Sequence, residues 1–142
     1  MNNKTDKIFE YIDNMLQELS LVNSSSEKKK ILELYYKLNP ECFNKLIVYT
    51  YSHEKQYHIT SKIIKENLHL ISNNHQTGNI FDLLDILNAK TRTGSEAIEW
   101  VNNYIRDNGY CEIVYKMIDR DLKAGISKSL IKETIKKYNL KG

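Results

Sequence analysis

The chain has 142 residues, 41% of them apolar and 27% charged, with a formal net charge of +3 at neutral pH. That length suits one ordinary domain with a real core, and we read residues 1–142 as one unit. No apolar run approaches the roughly 20 residues that cross a bilayer, and the polar start lacks a hydrophobic signal region, so we expect neither a membrane span nor a secretory leader and place the protein in the cytoplasm.

Apolar residues recur at helical spacing nearly throughout. Ile8, Phe9, Ile12, Met15, Leu16 and Leu19 mark a first helix. Ser24, Ser25 and Ser26 form a short linker that offers N-caps. A second helix carries Ile31, Leu32, Tyr35 and Leu38 and stops before Asn39-Pro40, because the residue before proline disfavours helix. Pro40 then suits the first position of a third helix, with Asn39 as its cap. Residues 46–51 have the branched and aromatic character of a strand; no partner strand is visible elsewhere, so they are read as helix. A weaker helix is predicted over residues 61–69, a loop over 72–78, and another helix through Ile80, Leu83, Leu84 and Leu87. Thr93-Gly94-Ser95 leads into a helix through Ala97, Ile98, Val101, Tyr104 and Ile105, which Asn108-Gly109 stops. The next helix is predicted over residues 111–123, with Gly125 ending it, and Ser127 caps a last helix through Leu130, Ile131 and Ile135.

Cys42 and Cys111 are the only cysteines and read as reduced core residues. His53, His58, His69 and His75 include no pair at the three- or four-residue spacing of helical metal ligands, and no metal or other cofactor is expected. There is no P-loop, no nucleophile elbow and no glycine-rich dinucleotide fingerprint. Scattered carboxylates such as Glu33, four residues before Lys37, read as exposed helix pairs.

The charge is unevenly spread. Residues 115–142 hold eight of the 21 basic residues and three of the 18 acidic ones; the rest of the chain is slightly acidic. A basic end on a near-neutral body suits a polyanion partner, and equally a solvated lysine-rich helix face. Two segments sharpen the first reading. In residues 120–128, Arg120, Lys123 and Lys128 surround a glycine turn at Gly125 and a helix start at Ser127. Lys128 stands where the helix dipole disfavours a cation, a local cost that an anion held by Ser127, Lys128 and free backbone amides would reverse. Arg92, Thr93, Gly94 and Ser95 repeat the arrangement. Both segments also match ordinary capped helix turns, and the residues alone leave the two readings open. Tyr49, Tyr51 and Tyr57 lie among His53, Lys55 and His58; such a cluster either stacks on bases or sits in the core with polar tips outward.

Residues 113–135 resemble the end of the N-terminal DNA-binding domain of T-even-phage-type ATP-dependent DNA ligases. The shared pattern is a hydrophobic helix, then Arg120-Asp121-Leu122, two residues, Gly125, an apolar residue and Ser127. Arg92-Thr93-Gly94 followed by Ala97-Ile98 is similar to the family's Thr-Gly-x-x-Ala-Ile segment. Residues 83–87 and 50–52 also have counterparts, and the resemblance is strongest after about residue 77. It implies an all-α domain of about seven to eight helices that grips double-stranded or nicked DNA through its sugar-phosphate backbone, in replication or repair. Arg92, Thr93, Gly94, Ser95, Arg120, Lys123, Gly125, Ser127 and Lys128 are the DNA contacts it implies. Such binding reads duplex shape instead of sequence. The family's Lys-x-Asp-Gly nucleophile motif does not occur, so the chain is not expected to ligate alone. It reads as the DNA-binding part of a ligase, as one half of a split ligase, or as a free-standing phage-type relative. The alternative is a protein-interaction module, binding a catalytic partner or a host or defence factor through Phe9, Tyr11 and Met15 of the near-neutral N-terminal helices.

Overall fold

The computed structural model describes residues 3–141 and, among them, eight helices and no strand. They are α1 (Asn3–Ser20), α2 (Ser25–Leu38), α3 (Pro40–Tyr51), α4 (Ser61–Lys65), α5 (Ile80–Asn88), α6 (Gly94–Asn108), α7 (Cys111–Ile118) and α8 (Lys128–Tyr138). The all-α expectation holds. No helix among the described residues is long and apolar enough to cross a membrane.

The strand-like segment 46–51 is helical, and its burial explains its composition. Cys42, Phe43, Leu46, Ile47, Val48 and Thr50 of α3 are all buried, because α3 packs against α2, α5, α7 and α8. A helix with neighbours on several sides is apolar beyond a single stripe. Each fully buried Phe, Leu or Ile stabilises by about 1.5–3 kcal/mol. Burial also pushes the Cys42 thiol up to about 11, and both cysteines are free.

The starts of the helices follow the sequence signals. Ser24 caps α2 by accepting from the Glu27 amide at 3.2 Å, and Asn39 caps α3 by accepting from the Cys42 amide at 3.1 Å, with Pro40 in the first turn. Asn79 and Asp82 form a reciprocal capping box at α5. Gly109, at φ 78°, ends α6. The Glu33–Lys37 pair forms at 2.9 Å.

Three expectations are corrected. The helix predicted over 111–123 ends at Ile118, because Arg120 turns left-handed and Leu122 folds into the core with no exposed surface. The helix predicted over 61–69 ends at Lys65; the carbonyls of Asn67 and Leu70 bond instead to the Asn102 amide group, at 3.1 and 2.9 Å. Phe9 and Met15 are fully buried and Tyr11 is half-buried, its hydroxyl donating to the Tyr35 carbonyl at 2.6 Å. These three residues form core, so they do not supply a docking surface.

Aromatic contacts seat the last helix. Tyr138 of α8 stacks on Tyr36 of α2 at 4.1 Å, and both meet the edge of Phe43 of α3. The irregular connection between α4 and α5 is held by the polar face of α6. Asn103 accepts from the Ser72 amide, Arg106 donates to the carbonyls of Ser72 and Asn74, and Asp107 accepts from the Gln76 amide at 2.8 Å.

Asp107 anchors this network. The hydrogen bond from Arg106 holds its carboxyl far below the usual carboxylate range, aided by the Gln76 amide and His75 and opposed by burial. A depressed folded-state pKa stabilises fully above the unfolded value of about 4 and is lost as pH falls towards the folded value. Asp107→Asn is expected to cost about 2 kcal/mol at neutral pH and to flatten the acid limb below about pH 4. Thermal melts of both proteins from neutral pH to acid check this; parallel acid limbs would count against it.

Candidate functional site

The end of α3 launches an irregular segment, residues 52–60, whose two flanks are tied to the 119–122 turn and whose middle is tied to the end of α5. Its first residue is gripped by the Arg120 guanidinium, which donates from Nη2 to the Ser52 carbonyl. Beside that bond, the Leu122 amide donates to the Tyr51 hydroxyl at 3.1 Å. Asp119 takes both the amide and the hydroxyl of Ser61, the former at 2.8 Å. Further along, the Gln56 amide donates to Asn88 Oδ1 at 2.8 Å, at the last residue of α5 and just before the 90–95 turn. One segment therefore joins the 119–122 turn to the end of α5, two residues before Lys90.

The tyrosines of this region are structural. Tyr57 is buried and its hydroxyl donates to the Tyr49 carbonyl. The Tyr49 hydroxyl donates to Asp85 at 2.8 Å; burial, then that bond and the Asp85 charge, push it up to about 12, so it stays a neutral donor. Of the basic residues beside them, His53 and His58 are exposed, and Lys55 lies half-buried with its ammonium 4.4 Å from the Tyr49 ring centre.

The predicted contacts fall into two groups. Thr93, Gly94, Ser95, Lys123, Gly125, Ser127 and Lys128 are exposed. Thr93 is the N-cap of α6 yet makes no side-chain capping bond, which leaves first-turn amides of that helix open. Ser127 does cap α8, accepting from the Leu130 amide at 3.1 Å. Arg92 and Arg120 are half-buried. Arg92 lies 4.6 Å over the Trp100 ring and 3.5 Å from Glu96. Arg120 is turned inward, with Nη2 on Ser52 and Nε buried without a hydrogen-bond partner. Its geometry is that of a brace for the 52–60 segment.

Backbone geometry singles out the same edge. Among the described residues, six non-glycine residues have positive φ, and four of them, His58, Lys90, Arg120 and Lys123, lie in these segments. Lys90 and Arg120 occupy the position after a helix end where glycine is usual. The Lys90 amide bonds to the Leu87 carbonyl and Thr91 to Ile86; Arg120 bonds to Met117 and Asp121 to Lys116, all within 3.0–3.2 Å. A side chain in that conformation costs about 1–2 kcal/mol that glycine avoids, and such strain concentrates at functional sites.

Lys28 is the residue that sequence reasoning missed. It belongs to a run of three lysines that reads as a solvated face, but it is buried, and its ammonium donates to the Ala124 carbonyl at 3.0 Å. A Cβ at Gly125 would lie 2.6 Å from that nitrogen, so the glycine at φ 68° leaves room for a cation directly beneath the turn. The signal was there: Lys28 is in helical phase with Leu32 and Tyr35, the other buried residues of α2.

The edge thus gathers ammonium, hydroxyl and amide donors able to hold anionic oxygens. No group of His, Cys, Asp and Glu suited to a metal ion occurs among the described residues. No protein-family model matches the chain, and no curated protein or solved structure matches it significantly.

Lys90→Gly separates local strain from function. Relief of the left-handed side chain, less the roughly 0.4–1 kcal/mol of extra unfolded-state entropy that glycine brings, should stabilise by about 0.5–1 kcal/mol. The melting temperature is expected to rise by about 2–3 °C. A fall would mean that the lysine side chain itself stabilises the native state.

Proposed function

We propose that the chain is a non-catalytic DNA-binding module that holds the sugar-phosphate backbone of double-stranded or nicked DNA, in ligation, replication or repair, as part of or partner to an ATP-dependent DNA ligase. The observation that carries the reading is the tying of the 52–60 segment to the 119–122 turn and to the end of α5, with Lys90 and Lys123 kept in left-handed conformations where glycine would be free of strain. Lys90, Lys123 and Lys128 supply ammonium groups, and the exposed Thr93, Ser95 and Ser127 lie at helix starts whose amides suit phosphate oxygens. Lys28 adds a buried positive charge under the Gly125 turn. Arg120 acts here through Ser52 as a positioning residue. Contacts of this kind fix a protein on a duplex without reading bases.

The test is fluorescence anisotropy with a nicked duplex, an intact duplex and a single strand across a salt series. Binding should favour the duplexes and weaken steeply with salt as counterions are released. Lys123→Ala and Lys128→Ala should each weaken binding regardless of sequence and lower the salt slope by about 1. If the triple variant Lys90→Ala, Lys123→Ala, Lys128→Ala binds like the parent, the edge is wrongly assigned; if the parent fails to bind at low salt, the function is.

A further inference from the structure

A groove of about 1000 Å³ runs between the end of α3, the 52–54 segment and α8. Its floor is aliphatic: Val48 from α3, Ile131 and Ile135 from α8, and Leu140 beyond it. Helix α8 makes its core contact through Leu130 and Thr134, which are buried, while Ile131 and Ile135 remain half-exposed on the groove side. Leu140 is fixed in the wall because its amide returns to the Ile135 carbonyl at 3.0 Å, and the neighbouring Lys141 amide bonds to Asn44 at 2.9 Å.

The rim is cationic. Lys128, Lys132 and Lys136 stand at four-residue intervals along α8, so they step about 6 Å apart over about 12 Å, and Lys141 extends the row. All four are exposed and none is in an ion pair, whereas Glu133 on another face of α8 pairs with Lys29 at 3.0 Å. Glu54 is the one carboxylate of the lining. Like charges at four-residue spacing destabilise a helix, a cost that an acidic occupant reverses.

We propose that this groove docks an acidic amphipathic helix of a partner protein, its apolar stripe on Ile131 and Ile135 and its carboxylates on Lys132 and Lys136. The chemistry selects this occupant. A sugar-phosphate strand has no aliphatic face to place on the floor, and the two aromatic rings of the lining, Tyr51 and His53, are not part of that floor. A fatty acid brings one carboxylate to four ammonium groups spread over more than two helical turns. A helix of two to three turns, with apolar residues three and four apart flanked by Asp and Glu, matches both the floor and the row. The inference stands apart from the DNA reading, which shares with it Lys128 and the start of the 52–60 segment but none of the floor.

The probe is a blocked, fluorescently labelled peptide of about twelve residues, long enough to follow the lysine row, with leucines on one helical stripe and glutamates elsewhere. It is titrated into the full chain by anisotropy and followed by methyl NMR. Binding should move the methyls of Ile131, Ile135 and Leu140. Lys132→Glu with Lys136→Glu should weaken it about tenfold or more, since each substitution turns an attraction into a repulsion. The milder Lys132→Gln with Lys136→Gln, checked by circular dichroism for an intact fold, should lose less. Lys90→Ala with Lys123→Ala should bind the peptide like the parent and lose only DNA. The proposal is overturned if a scrambled peptide of the same composition binds equally, or if the shifts fall outside the floor. It is also overturned if a single-stranded oligonucleotide moves the same methyls more strongly, which would assign the groove to nucleic acid.

Discussion

Helix α3 packs against four other helices, α2, α5, α7 and α8. Its residues must therefore be apolar on several faces, and the chain must leave its end at Tyr51 between the elements that α3 has gathered. Ser52 emerges beside α7's end and Gln56 beside α5's end, so the segment that follows α3 has hydrogen-bond partners on both sides before it reaches α4. The candidate edge is a consequence of this central burial. The groove is too, since α8 lies against α3 through the Phe43–Tyr138 contact and leaves the space beyond Val48 uncovered.

Two kinds of positive charge coexist in the molecule, and their surroundings separate them. Lys37, Lys45 and Lys29 stand at helix surfaces with carboxylate partners, where exposed pairs contribute little. Lys28 is buried with a single backbone carbonyl as partner, and Lys90 and Lys123 sit on strained backbone. The second group costs native stability, and nothing in the core requires a cation at any of the three places. Proteins keep such local conflicts mainly at sites with another use. The lysine row on α8 belongs to a third arrangement, in which the cost is mutual repulsion along one helix.

Much of the fold was legible because its signals are local. Asn39-Pro40, Ser24, Ser127 and Gly109 each mark a boundary through the chemistry of one or two residues, and all four hold. The boundaries that failed depend on distant partners. Nothing near residues 66–69 says that Asn102 will take the carbonyls of Asn67 and Leu70, and nothing near residue 119 says that Asp119 will leave its helix to hold Ser61. The site was legible in the same measure. Both basic turns could be seen from spacing and small residues, but the inward turn of Arg120 follows from the Ser52 carbonyl, 68 positions away. The left-handed lysines carry no sequence mark, because glycine is the residue expected there. Lys28 did carry one, its phase with Leu32 and Tyr35, hidden by the lysines beside it.

The polar face of α6 grips the connection between α4 and α5 mostly through main-chain atoms. Asn102, Asn103, Arg106, Asp107 and Asn108 reach carbonyls and amides of residues 67–76, and few side chains of that stretch answer them. Main-chain atoms are the same whatever residue carries them. The information that shapes this loop is therefore written some thirty positions downstream of it, in a helix. Relatives of this protein should differ freely across residues 67–76 while holding the asparagines, arginine and aspartate of α6 nearly constant, a pattern of variation in which the loop drifts and its template does not.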